Sequence, residues 1–258
     1  MLYIAREIYH AFKRRYTIVY LIGFLILCVL ANVAMTCFRT IYGMNDGAFS
    51  YNLIIFAEGV FAIPYYSCIC FADIVFGRSY IDPHIKDKYT KTLRPWQLYL
   101  GKLLAAVVLA TVLFFVSFVM LIAVTALFGT GDTGIDLSVI VDFMDKASMA
   151  LPLWIAGIAI GQMFLFLFDR CKKAYILFFV TVLVIPRLIM LLAFEVVKLQ
   201  PFVAIRSILI TPQFQELQFF YTQNRLKCWL TGLIYTAIAS AVGIYAFYKR
   251  TRREKAVP

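Results

Sequence analysis

Long apolar runs separated by short polar ones account for nearly the whole chain. Residues 17–38, 51–76, 96–128, 147–168 and 228–248 are each mostly apolar over about 20 positions or more, the length a helix needs to cross a hydrocarbon core of roughly 30 Å. A further run, 174–195, has the same character but is expected to be interrupted at Pro186-Arg187. The third run is the longest. As a helix it would measure about 48 Å, so it must tilt or project beyond the bilayer. This pattern predicts an all-α integral membrane protein with six transmembrane helices, because only structures that satisfy their own backbone hydrogen bonds can span lipid.

Two polar stretches carry a helical period of their own. Leu2, Ala5, Tyr9, Phe12 and Tyr16 recur three and four apart, with Arg6, Glu7, His10, Lys13 and Arg14 falling between them. That spacing predicts an interfacial amphipathic helix over residues 1–16. It does not read as a cleavable signal, since the apolar run that follows is long enough to span. In residues 79–94, Asp82 before Pro83 reads as an N-cap and first helical position, and Ile81, Ile85, Tyr89 and Leu93 recur every four residues. A short amphipathic helix held between spans two and three has no span of its own to pack on. It is suited to being moved by a soluble partner that buries Ile85 and Tyr89 and meets Lys86, Lys88 and Lys91 at the rim. Pro95 restarts the chain as span three, with Trp96 and Tyr99 at interfacial depth. Residues 196–225, with Lys198, Pro201, Arg206 and Pro212 among apolar positions, form neither a clean span nor a clean loop. They are expected to be short re-entrant helices dipping in from outside, because broken backbone at membrane depth is tolerated where it is buried in protein or lines a cavity.

Charge orients this arrangement. The chain holds 25 Lys and Arg against 14 Asp and Glu, a net charge of +11. Most of the cations fall in the N-terminal helix, the 79–94 loop, the Asp169–Lys173 link (DRCKK) and the KRTRREK tail. The positive-inside rule therefore places both termini and these loops in the cytoplasm. The outer loop between spans three and four is rich in glycine and acid, with Asp132, Asp136, Asp142 and Asp145 against Lys146. A surplus of positive charge in a soluble domain would suggest nucleic acid, but here it lies beside apolar spans and meets anionic lipid instead. Composition agrees: 63% hydrophobic and 15% charged residues lie far from the soluble norm of roughly 45–50% and 25%.

The sequence carries little catalytic chemistry. It has no GxxxxGK[ST] phosphate loop, no HExxH and no GxSxG elbow. The six cysteines lie in or beside apolar runs without zinc-type pairing, so no metal site is expected. The chain is not expected to be an enzyme or to bind a cofactor itself. Ionisable residues within apolar runs are costly and mark either buried pairs or a transport path. Glu58, Arg187 and Glu195 are the candidates for one or the other, while Asp73, near the inner boundary, is expected to be a helix-end residue with a basic neighbour such as Arg78.

Taken together, the N-terminal amphipathic helix, six spans, the basic loop between spans two and three and the RPWQLYLGKLL segment resemble the type-two export permeases of ATP-binding-cassette transporters. The local match is Arg94-Pro95 followed by Gly101-Lys102-Leu103-Leu104, similar to the family's proline and glycine-lysine opening of span three. The resemblance implies that the 79–94 segment is the coupling region, with Asp82, Ile85, Lys86, Lys88, Tyr89 and Lys91 contacting the ATPase. It also implies that the N-terminal helix is the connecting helix, with Arg6, Tyr9 and Phe12 on it. The family's acidic residue in this loop, in a Glu-x-x-x-Gly segment, is matched only loosely by Asp82 or Asp87. The implied protein is a half-size permease of a bacterial cell membrane. It homodimerises and binds two copies of a separate ATPase that holds the ATP and magnesium. Its expected cargo is an amphipathic or hydrophobic peptide, such as a toxin or bacteriocin, or a lipophilic drug. Two other readings stand beside it: an ATP-independent secondary transporter or channel using Glu58, Arg187 and Glu195, and a non-transporting immunity protein.

Overall fold

The computed structural model describes residues 2–42, 61–76, 94–128, 137–168, 171–193, 200–219 and 225–255. Asp82, Ile85, Lys86, Lys88, Tyr89 and Lys91, together with Glu58 and Glu195, lie outside them. Among the described residues the chain is helical, with no strand. The elements in order are α1 (Leu2–Phe12), α2 (Arg15–Tyr42), α3 (Ala62–Phe76), α4 (Pro95–Phe128), α5 (Leu137–Leu167), α6 (Cys171–Phe179), a π-helical turn (Val180–Val184), α7 (Ile185–Leu191), α8 (Gln200–Ile208), α9 (Ile210–Phe219) and α10 (Arg225–Lys255). Among the described residues, five helical stretches are long and apolar enough to cross a membrane, and α3 is a shorter apolar helix of 15 residues.

The bundle is assembled around α5. The apolar window of α5 is 78% buried, against 11% for α2, so α5 is the core and α2 a peripheral strut. Small residues make this arrangement. A Cβ added at Gly161 would stand 2.9 Å from the Cα of Ile69, and one at Gly232 would stand 2.5 Å from the carbonyl oxygen of Pro152. Glycine at those positions lets α5 approach the backbones of α3 and α10 directly. Gly157 and Gly161, four apart, form the small-xxx-small spacing that favours close helix packing in lipid. Polar side chains then pin the contact: Trp154 Nε1 donates to the Phe61 carbonyl at 3.0 Å, and Gln162 Nε2 donates to the Tyr99 carbonyl at 2.8 Å. The outward faces are apolar, with Ile18, Ile22, Leu25 and Ile26 on α2 and Leu233, Ile234 and Ile238 on α10 all exposed. Water penalises such surface and a bilayer does not, which is the character of a membrane-embedded protein.

Several expectations are corrected by the helices themselves. The apolar run 174–195 is not interrupted at Pro186. The helix continues through it to Leu191, and the irregularity sits one turn earlier as the π-helical turn, where the Ile185 N–H reaches back to the Val180 carbonyl. Pro186 has no N–H to give the Val182 carbonyl four residues back. The Thr211 hydroxyl of α9 donates to that carbonyl at 3.4 Å instead. The acidic loop expected to run to residue 147 is shorter, because α5 begins at Leu137 and takes in Asp142, Asp145 and Lys146, with Lys146 and Asp142 paired at 2.9 Å one turn apart. Beside the stripe expected to lie at the membrane interface, α1 carries a second face that turns inward. Tyr9 and Tyr16 are exposed, while Ile8, Ala11 and Phe12 face the core. The inward face tolerates Glu7 beside them because that carboxylate finds a buried cation.

Candidate functional site

That cation is Lys102, two turns into α4 and 4% exposed. Gln97 and Pro95 fix the start of α4: Pro95 occupies the first turn, where a missing N–H costs nothing, and Gln97 Oε1 accepts the Arg94 N–H at 3.1 Å. From this anchored start the Lys102 side chain reaches the end of α3. Its Nζ donates to the carbonyls of Val75 (3.1 Å) and Phe76 (3.5 Å) and to Glu7 Oε2 of α1 (3.4 Å). The last carbonyls of a helix have no partner in their own helix and sit at the negative end of its dipole, so a cation is the group they favour.

A second cation completes the junction. Arg14, in the turn between α1 and α2, donates from Nη1 to the carbonyl of Ile74, one residue earlier on the same helix end. Burial pulls the Arg14 guanidinium below its ordinary value, and the carboxylates of Glu7 and Asp73 pull it back. The turn itself is set by Thr17, 2% exposed, whose hydroxyl donates to the Ala11 carbonyl at 2.8 Å. Three elements therefore meet at the C-terminal carbonyls of α3: the turn into α2 through Arg14 and α4 through Lys102 bond them directly, and α1 joins through Glu7, which pairs with Lys102. That point is where the basic segment 77–93 leaves α3, and α4 opens where the segment ends.

Beside the junction lies a groove of about 800 Å³ between α2, α3 and α6. Tyr16, Tyr20, Asp73 and Tyr175 line it, with Lys172 at the start of α6. Tyr175 Oη donates to Asp73 Oδ2 at 3.0 Å, and Tyr20 Oη is 3.2 Å from the Ser117 hydroxyl on α4. At the opposite end of the bundle α9 is buried through Ile210, Thr211, Gln213 and Phe214. Gln213 donates to Thr231 at 3.0 Å, and Lys227 pairs with Glu216 and Arg225 with Asp145.

The residues expected from sequence are distributed unevenly over these features. Phe12 packs against the core, while Arg6 and Tyr9 are exposed, Arg6 lying 3.4 Å from His10 and Tyr9 beneath Lys13 at 4.8 Å. Arg187 is exposed on α7 and makes no ion pair among the described residues, so it is not half of a buried pair there. Asp73 is held by Tyr175 among the described residues. Sequence reasoning passed over the role of Glu7 and treated Lys102 as a motif marker. The signal for Lys102 was available, since it is the only charged residue between Pro95 and Phe128. No metal-binding cluster of His, Cys, Asp or Glu occurs among the described residues. No family model matches the chain, and no curated protein matches it.

Proposed function

We propose that this chain is the transmembrane permease subunit of an ATP-driven exporter, working as a homodimer with two copies of a separate ATP-binding-cassette ATPase. The observation that supports this most is the Lys102 junction. A segment pushed from the cytoplasm moves a bundle only if its two ends are mechanically tied to the spans. Here α3, which precedes 77–93, and α4, which follows it, are joined to each other through the buried Lys102 ammonium, and α1 and the turn into α2 are tied to the same place through Glu7 and Arg14. Ion pairs with excluded water hold such geometry firmly, because removing either partner leaves a charge without compensation. The chain lies in the cell membrane with both termini cytoplasmic, an orientation that rests on the cation distribution, and the resemblance of its sequence points to a bacterial source. ATP and magnesium belong to the partner ATPase, and the cargo is an amphipathic or hydrophobic peptide or a lipophilic drug.

Co-purification with candidate ATP-binding-cassette ATPases, followed by ATP hydrolysis in nanodiscs, tests the reading. A stable complex with stimulated hydrolysis is expected. An aromatic anchor buried at an interface is worth about 2 kcal/mol or more on truncation, whereas a rim charge acts chiefly on association rate and salt dependence. Tyr89→Ala is therefore expected to weaken the complex by about thirtyfold and Lys88→Ala far less. Equal and negligible effects of both would contradict a coupling role for this segment.

A further inference from the structure

The groove between α2, α3 and α6 lies next to the junction, and the proposed coupling makes no use of it. Its volume of about 800 Å³ falls within the range of small-molecule sites, roughly 300–1,000 Å³. Its chemistry is asymmetric. Asp73, the one carboxylate in its lining, is bonded by Tyr175 at 3.0 Å, and Tyr16 and Tyr20 line the same groove. The rest is apolar, through Val19, Phe71, Ile74 and Ile176.

Asp73 accepts one hydrogen bond, from Tyr175 to Oδ2, and among the described residues its other oxygen takes none. Arg14 is close enough to feel this carboxylate, but its guanidinium is engaged by the Ile74 carbonyl, and the two form no ion pair among the described residues. Lys172 also lines the groove, exposed at the start of α6, and forms no ion pair with Asp73 among the described residues. A half-buried carboxylate among tyrosine rings attracts a cation through both charge and the ring faces. Apolar walls beside it accept an alkyl or aromatic body.

We propose that this groove binds a single-chain amphipathic cation, its ammonium head on Asp73 and the tyrosines and its apolar body along α2 and α6. The occupant is a small cation rather than a two-chain lipid because the volume suits a drug-sized molecule. The proposal narrows the cargo of the exporter to cationic amphiphiles, and it rests on that reading only in calling the bound cation cargo.

Tritiated dodecyltrimethylammonium binding to the purified full chain tests this in nanodiscs of a neutral galactolipid, which supplies no competing ammonium. Saturable binding is expected, displaced by dodecylamine and not by dodecyl sulfate. Asp73→Asn is expected to weaken it about tenfold, Tyr175→Phe less, and Asp73→Glu is expected to restore most of it. Cys70 lines the groove and is exposed, so in a chain with the other cysteines replaced, the cation should slow its labelling by maleimide. Unchanged binding in Asp73→Asn, or equal displacement by dodecyl sulfate, would overturn the proposal. So would loss of the signal in phosphatidylethanolamine nanodiscs, which would make the site a lipid headgroup site. Cross-linking of Cys70 to its counterpart in a second copy would make the groove an interface and reject it too. No ATPase is present in these assays, so their failure leaves the coupling reading standing, and loss of the ATPase complex leaves this site standing.

Discussion

A lysine carried into an apolar bundle persists only when its ammonium is used, and Lys102 finds three acceptors for its three donors in Val75, Phe76 and Glu7. Removing one partner of a buried pair costs about 3–5 kcal/mol when the other is left buried. Glu7 retains 13% exposure and can draw on water, so Lys102→Met is expected at the lower end, about 3 kcal/mol. Glu7→Gln, which leaves the two carbonyl contacts in place, is expected to cost about 1 kcal/mol. The double variant is expected to cost clearly less than the sum, because each single change strands the other group. Unfolding in detergent measures all three, and strict additivity would mean that the pair is not coupled. The position of Lys102 was legible as a charge alone in an apolar run, and its role was not. Its partners lie 95, 27 and 26 residues away in the chain, and no local pattern connects them.

The helices show where hydropathy reads well and where it stops. Apolar runs locate the stretches that can cross a bilayer, and the long run at 96–128 is a single helix from Pro95 to Phe128. Helix that continues past the apolar window leaves no such trace, which is why the starts at Leu137 and Arg225 and the end at Lys255 were not read. Pro186 looked like a break because sequence gives only the missing N–H. The structure supplies the neighbour that replaces it, Thr211 on α9. Thr211→Val removes this donor while keeping the shape and is expected to cost about 0.5–1 kcal/mol, and Thr211→Ser to recover it. The inward face of α1 was not legible for a related reason: apolar spacing marks one stripe, and the buried face includes a carboxylate whose partner is remote. Where backbones touch, size decides. Gly161→Val places a side chain against the backbone of Ile69, which cannot swing aside, and is expected to lower stability by about 1–3 kcal/mol or to displace α3. Thermal unfolding and the tyrosine spectrum of the variant measure both outcomes.

At the scale of the whole molecule, the described residues are all helical, with five helices able to span a bilayer, and are organised around one buried helix, while Lys102 and Arg14 tie α1, α4 and the turn into α2 to the C-terminal end of α3. The sequence carried the all-helical, membrane-embedded character through composition and run length. It could not carry the junction, which depends on packing. If cations mark the cytoplasmic side, an impermeant thiol reagent applied to sealed cells is expected to miss a cysteine at position 88 and to reach one at position 132. The claim that an ATPase drives transport is tested most directly by export of a cationic amphiphile from vesicles that contain the chain and its ATPase, with the proton gradient collapsed by an ionophore. The account predicts export that persists, requires ATP hydrolysis and survives Glu58→Gln. Export that vanishes with the gradient and with Glu58→Gln, whatever the ATP supply, would contradict it and make the chain a secondary transporter.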